Sequence, residues 1–402
     1  MTLWLIVRKS LRQHLLSTVI TAVSIGLATG LLMSIVAVKD QSMRAFTNVS
    51  GGFDAVMGSR GSKLSLVLFS IFHMDKAPGT LPWKEYEDIK SDTNRIKTAI
   101  PIVVGDNFKG FRIVGTVHEL FDVEYQQGRR HAVQEPGRMF KDNLQEAVIG
   151  GHAARRLGLK LGDVFQPYHG LDYNPASKHE VDYVIVGILE SSNTPADHVI
   201  WIPIKGLQNM PGHDLGKKTE VSAILLQFNS KLKGARLADE VNNSNEIRDK
   251  TIAMIAPEVT NFFLRFEWLR IVLSMMAVLV ALVGAGGILA SLHNTMNERR
   301  REFAILRALG ARRGTVFGAI ILESSTIATL GVTIGFAFYA GFIALSAHYI
   351  SDMTGVVINP MEPNAVMALA PVGIVALGTL AGILPAMKAY RTDVAENLIP
   401  QT

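Results

Sequence analysis

The chain has 402 residues, 48% of them hydrophobic, a formal net charge of +5 and no cysteine. The missing thiols exclude disulfide staples and cysteine chemistry, and the basic balance sits largely in short flanks of apolar runs, so nucleic acid is not needed to explain it. Four long, nearly uncharged apolar runs set the class: an α-helical membrane protein with four transmembrane helices and a large mixed α/β extracytoplasmic domain inserted between helices 1 and 2.

Residues 1–14 read as a cytoplasmic amphipathic segment and residues 15–38 as the first span. This run is too long for a signal-peptide core, and no small-x-small cleavage site with a polar continuation follows, so a retained anchor is expected. The other spans are expected at 271–292, 316–346 and 365–387. Each covers the roughly 30 Å hydrocarbon core, which takes about 20 helical residues, and runs this apolar cross as helices. Lys and Arg in the short flanks set the orientation. Arg8, Lys9 and Arg12 precede the first span; Arg299, Arg300, Arg301, Arg307, Arg312 and Arg313 separate the second from the third; Lys388 and Arg391 follow the fourth. The loop 347–364 has neither Lys nor Arg. Both termini, the segment 293–315 and the tail 388–402 are then cytoplasmic at the cell (inner) membrane, and residues 39–270 face the periplasm or exterior.

Within that exported part, β-branched stretches predict strands at 111–117, 146–149, 181–189, 199–204 and 221–228. Helices are expected at 82–89, 152–157 and 235–247. The apolar stretch 64–72, inside 62–82, is too short to span a bilayer; it reads as a core strand or buried helix, or as an exposed element contacting lipid or a partner. Residues 38–47 carry no helix breaker before Gly51 and Gly52, and Val259, Phe262, Phe263, Phe266 and Leu269 form a helical stripe that can run straight into the second span. These two extensions either pack together as a stalk or lie as ordinary juxtamembrane helices on the domain. His73, His118, His131, His152, His169, His179, His198 and His213 show no HExxH and no short paired spacing, so scattered surface histidines, no metal and no catalytic constellation are expected.

In the spans, Gly26-x-x-x-Gly30, Gly331-x-x-x-Gly335 and Gly378-x-x-x-Gly382 place small residues one turn apart for close helix packing. Gly284, Gly286 and Gly287 either pack or bend the second span. Glu323 is the single intramembrane charge. It costs roughly 2 to 3 kcal/mol near a helix centre, which surrounding Ile and Leu residues offset. Such a group is a functional candidate, against which stands hydration or pairing with Arg312 or Arg313 near the cytoplasmic boundary.

The segment from Asn297 to Ala311 reads Asn-Glu-Arg-Arg-Arg-Glu-Phe-Ala-Ile-Leu-Arg-Ala-Leu-Gly-Ala. Thr295 and Glu298 fit a capping box, and Gly310 is placed to end the helix. By charge pattern alone it reads as an amphipathic helix resting on anionic headgroups. Its Glu298, Arg299, Glu302, Phe303, Leu306, Arg307, Leu309 and Gly310, however, resemble the signature of FtsX-like ABC transporter permeases, which include the MacB and LolC/LolE proteins. Similar stretches occur elsewhere in the family's order: Glu146-Ala147-Val148-Ile149-Gly150, then Leu157-Gly158-Leu159-Lys160-Leu161-Gly162-Asp163, then Val184 through Leu189, and Leu384-Pro385-Ala386-Met387-Lys388-Ala389 at the fourth span. The chain departs from the family where Asp393-Val394 replaces an Asp-Pro pair, and residues 62–82 match nothing in it.

This resemblance implies two permease chains per complex, identical or not, in contact with membrane lipids, each with a cytoplasmic ABC ATPase that binds ATP and Mg. The helix 297–309 would dock in that ATPase. The sequence holds no G-x-x-x-x-G-K-[ST] phosphate loop, so hydrolysis would belong to a partner, and no cofactor is expected on this chain. The leading expectation is a permease subunit that turns cytoplasmic ATP hydrolysis into conformational work on a lipid, lipoprotein or peptide outside. The alternatives are a non-transporting transmembrane regulator of an extracytoplasmic enzyme or protein partner, and a free-standing receptor.

Overall fold

The computed structural model describes residues 3–48, 50–210, 219–308, 310–354 and 363–391. The chain divides into two compact units, one formed by Met1–Gln41, Phe266–His348 and Ile358–Thr402, the other by Ser42–Arg265 and Tyr349–Val357. The N-terminal helices are α1 (Leu3–Gln13) and α2 (Leu15–Asn48). Four stretches, Leu15–Gln41, Glu267–Ala290, Arg313–Ala347 and Val366–Lys388, are long and apolar enough to cross a membrane.

The second unit is the α/β one. Its first elements are β1 (Ala55–Ser59), α3 (Lys63–Ser70), β2 (Leu81–Pro82), α4 (Trp83–Ser91), β3 (Ile96–Phe108) and β4 (Phe111–Thr116). They are followed by β5 (Glu146–Ile149), α5 (Gly151–Leu157), β6 (Val164–Phe165), β7 (Tyr168–His169), β8 (Tyr183–Ile188), β9 (Ile200–Pro203) and α6 (Ile204–Gln208). Its last elements are β10 (Glu220–Val221), β11 (Ala223–Phe228), α7 (Lys231–Asn243), β12 (Lys250–Met254) and α8 (Ile255–Arg265).

One sheet runs β12-β1-β11-β3-β4-β9-β5-β8-β6, with β7 added on β3. At 13 residues β3 is longer than most strands, and it serves two halves of the sheet. Its first half, through Ile102, pairs antiparallel with β11, and Val103 to Phe108 pair with β4 across a bulge between Val104 and Asp106. Pro101, Gly105, Asp106 and Asn107 interrupt the hydrophobic pattern here, so no strand is expected from it. Strands β1 and β12 likewise went unsignalled, whereas β5 matches its expected range. The expected strand 221–228 splits at Ser222, whose Oγ accepts a hydrogen bond from the Val104 N–H at 3.1 Å. The expected 199–204 strand ends at Pro203, which opens α6.

The apolar stretch 64–72 is a buried helix, which removes the reading as an exposed lipid-contacting element. Ser62 caps α3 by accepting from the Ser65 N–H, and Leu66, Val67 and Phe69 are buried. Leu66 and Val67 join Phe53, Val56, Ile100 and Leu225 in one core cluster, each such side chain contributing roughly 1.5–3 kcal/mol. Helix α8 packs on α3, with Ile255 and Val259 in the same cluster. The stripe from Val259 to Leu269 is therefore split between α8 and α9. Val259 turns into the core, the helix breaks at Phe266, and Phe266 and Leu269 are exposed.

Among the described residues, the remaining helices are α9 (Glu267–Ala308), α10 (Arg313–Thr354), α11 (Val366–Ala381) and α12 (Ile383–Arg391). Helix α9 is unbroken through Thr295, so the expected capping box does not start a new helix. No Pro interrupts α9, so the i to i−4 ladder continues even through Gly284, Gly286 and Gly287. The fourth span instead divides at Gly382. Pro385 lacks the N–H that would bond back to Ala381, and its ring crowds that carbonyl, which breaks the helix one turn upstream.

Candidate functional site

The glycine motifs meet inside the first unit. A Cβ added to Gly26 would lie 3.0 Å from the Gly331 carbonyl oxygen, and one on Gly30 would lie 2.8 Å from that of Gly335. In return, Gly331 faces Ala22 and Ile25, and Gly335 faces Thr29 and Gly26. The motifs of α2 and α10 therefore interlock backbone to backbone. Gly378 faces Ala328, and Gly382 faces Ser324, so α11 closes on another side of α10. Gly284 abuts Ile25, while Gly286 has nothing within 4 Å. In lipid, where apolar surface gains little by self-association, such close approach is what holds helices together.

Glu323 on α10 is buried at 6% exposure beside this seam, and the Ser10 hydroxyl of α1 donates to its Oε1. Ser10 and Val7 are both fully buried one turn apart on α1. Arg313, one of the partners considered for Glu323, lies over the Tyr390 ring at 5.8 Å. Ser10 was not singled out in the sequence; its only signal was the three-residue step from Val7. At the opposite end of α2, Lys39 pairs with Glu267 of α9 at 3.1 Å, and Asn364 donates to Asp40 at 3.0 Å.

Glu298, Arg299, Glu302, Phe303, Leu306 and Arg307 occupy the last three turns of α9. Their side chains, like Leu309 and the tail from residue 392, lie outside the described residues. Ile305 is 44% exposed. Gly310 has φ +96°, a left-handed value that ends the helix as glycine allows. Past the expected end of the apolar span at Leu292, α9 continues for 16 residues to Ala308, about 24 Å at 1.5 Å per residue.

The second unit holds more enclosed histidines than a surface-scattered set. His73 and His131 line a cavity of about 40 Å³ with Phe53, Ser70 and Trp201, room for about three waters. Burial, reinforced by the charges of Arg112 and His198, pushes His73 down to about 3, and burial pushes His131 down to about 4. Both rings are neutral at physiological pH. His152 stacks on His198 with centroids 3.8 Å apart. His169 and His179 come together with Asp106, a grouping that the spacing had not signalled, and His179 is 8% exposed. His213 lies outside the described residues.

Residues 18–244 match the family model of the MacB-like periplasmic core domain, more than half of the chain. The chain belongs to the MacB-type, FtsX-like permease family. Residues 274–394 match the FtsX-like permease C-terminal model, which takes in α9 with its arginine-rich end and both remaining spans. Among curated relatives, the macrolide export ATP-binding/permease protein MacB of Nitrobacter winogradskyi is 32% identical over 129 residues, 32% of this chain and 19% of that protein. The protein of the same name from Neisseria meningitidis serogroup A is 26% identical over 131 residues, and that from Burkholderia lata 30% over 130 residues. Each match covers 32% of this chain and 19% or 18% of the relative. The chain thus spans about a fifth of the length of these relatives. Membership makes it an ABC transporter permease component with a MacB-like periplasmic domain.

Proposed function

We propose that this chain is a permease subunit that transmits force from a separate cytoplasmic ABC ATPase, with bound ATP and Mg, to its extracytoplasmic domain, working there on a lipid, lipoprotein or peptide. The observation that carries the reading is α9, a single 42-residue helix joining an apolar span to the arginine-rich segment. Displacing one end of an unbroken helix displaces the other, because the hydrogen-bonded ladder does not compress; α9 so carries motion from its arginine-rich end to Glu267, next to the turn at Phe266 that leads into α8. The interlocked glycines of α2 and α10 fit a bundle that moves as a body rather than as loose rods. In this reading both termini are cytoplasmic, a second permease chain completes the complex, and Glu298, Arg299, Glu302, Phe303, Leu306, Arg307, Leu309 and Gly310 form the docking end. Glu323 fixes α1 against α10 as a structural group.

The test is co-purification with candidate ATPases in mild detergent, followed by ATPase assays of the complex. Arg299→Glu, Arg307→Glu or Leu306→Asp is expected to lower coupled activity roughly tenfold, equivalent to about 1.4 kcal/mol of docking energy. Absence of any ATPase partner, or coupling indifferent to all three changes, sinks the reading.

A further inference from the structure

The strand pair β3–β7 sets two potential metal ligands opposite one another. Asp106 and His169 are antiparallel partners, as are Asn107 and Tyr168. Asp106 directly follows the β3 bulge, a feature that re-aims side chains beside functional sites. The chain then loops back: Tyr168 bridges Lys178, and the His179 N–H donates to the Pro167 carbonyl at 2.8 Å. That return brings His179 to the same carboxylate. Asn107 holds the loop, its Nδ2 donating to the carbonyls of Gly170 at 2.9 Å and Asp172 at 3.2 Å, and the Ser177 hydroxyl donates to the His169 carbonyl at 3.1 Å. These contacts bring the three residues together from two stretches of the chain.

Their spacing is informative. Asp106 Oδ1 lies 3.4 Å from His179 Nε2 and 3.5 Å from His169 Nδ1. Charge-assisted N–H···O bonds close to about 2.7–2.9 Å, so these separations are long for direct pairing. Ligand atoms about 2.0–2.1 Å from a tetrahedral zinc lie about 3.4 Å from one another. All three ligand atoms fall within 4.8 Å of one another, and the two imidazoles stand nearly perpendicular at 80°. Burial grades from Asp106 at 0% exposure through His179 at 8% to His169 at 52%, which leaves an approach from solvent on one side.

We propose that Asp106, His169 and His179 bind one zinc-class divalent cation, with a fourth coordination position open toward the His169 side. Two imidazole nitrogens among three donors suit Zn²⁺, whereas Ca²⁺ and Mg²⁺ take oxygen-rich shells. Three protein ligands and one open position are the arrangement of exchangeable and reactive zinc sites rather than of closed structural ones. The site lies within the second unit, and its existence is independent of the transport reading.

The test uses the full chain in detergent, freed of any histidine tag and treated with chelator, then titrated with Zn²⁺ by calorimetry and with Co²⁺ by visible absorption. The lack of cysteine removes thiolate competitors. One equivalent of Zn²⁺ and a tetrahedral Co²⁺ band are expected. His169→Ala and His179→Ala are expected to weaken binding by at least about 100-fold, the upper range for losing even a supporting residue. Half-exposed His169 is the safer substitution, and circular dichroism verifies its fold. A His152→Ala/His198→Ala variant retains the equivalent. No Zn²⁺ bound by the unaltered chain, equal binding by His169→Ala, or loss in the His152/His198 variant instead overturns the proposal.

Discussion

The two units are stabilised by different physics. In the α/β unit, large side chains leave water and fill space: Trp201, Phe121 and Phe140 pack edge to face at 5.8–5.9 Å around a core of Val, Ile and Leu. In the helical unit the closest backbone approaches are made at residues with almost no side chain, Ile and Val fill the gaps between helices, and many other large side chains point outward. Leu279, Val283, Leu369 and Val372 are between 50% and 70% exposed, an arrangement that is costly in water and suited to lipid. Removing a side chain should therefore damage the first kind of core, and adding one should damage the second.

The largest expected effect is in the α/β unit. Trp201→Ala, at 3% exposure, should cost about 3–5 kcal/mol, measured as a lower urea midpoint of this unit. A change below 1 kcal/mol would contradict close packing there. In the helical unit the sign reverses. Gly30→Val drives its new atoms against the Phe338 Cβ, 2.6 Å from the added Cβ, and the Gly335 carbonyl; overpacking of this kind costs about 1–3 kcal/mol. Gly286→Ala meets nothing within 4 Å and should be tolerated. Thermal unfolding in detergent that ranks these two equally would break the comparison.

The smallest effect, per pH unit, concerns the neutral histidines. His73 and His131 titrate in the folded chain near 3 and 4, below the ordinary 6.5. The unfolded chain therefore takes up these protons first, so the stability they confer is complete above about pH 6.5 and is lost as pH falls toward 4. Each contributes a slope of up to about 1.4 kcal/mol per pH unit. His131→Gln should flatten the acid limb by about that amount, and an unchanged slope would show that the ring is hydrated.

The parts legible in the sequence are those whose signal is local. Apolar runs longer than a bilayer is thick marked the four described helices that are long and apolar enough to cross a membrane, and glycines four apart marked helix faces able to approach closely. Strand β5 and the buried stretch at 64–72 were visible as short apolar runs, although strand and helix stayed undivided for the latter. Strand β3 was hidden because Asp106 and Asn107 are polar yet buried at 0%; their partners arrive from residues 168–179. The expected break at Thr295 failed because a capping box stabilises a helix start only where the chain has reason to stop, and nothing upstream stops α9. The break at Gly382, one turn before Pro385, was not expected from the apolar run 365–387.

What the amino-acid order determined by itself was the four helices apolar enough to cross a membrane and the family, since hydrophobic thickness and contiguous motifs are properties of neighbours along the chain. Which glycines face one another, which hydroxyl meets Glu323, and which two histidines of the α/β unit join Asp106 were decided only by tertiary structure. Those pairings depend on loops closing over sixty to three hundred residues, and their geometry comes from the packed elements that the loops connect.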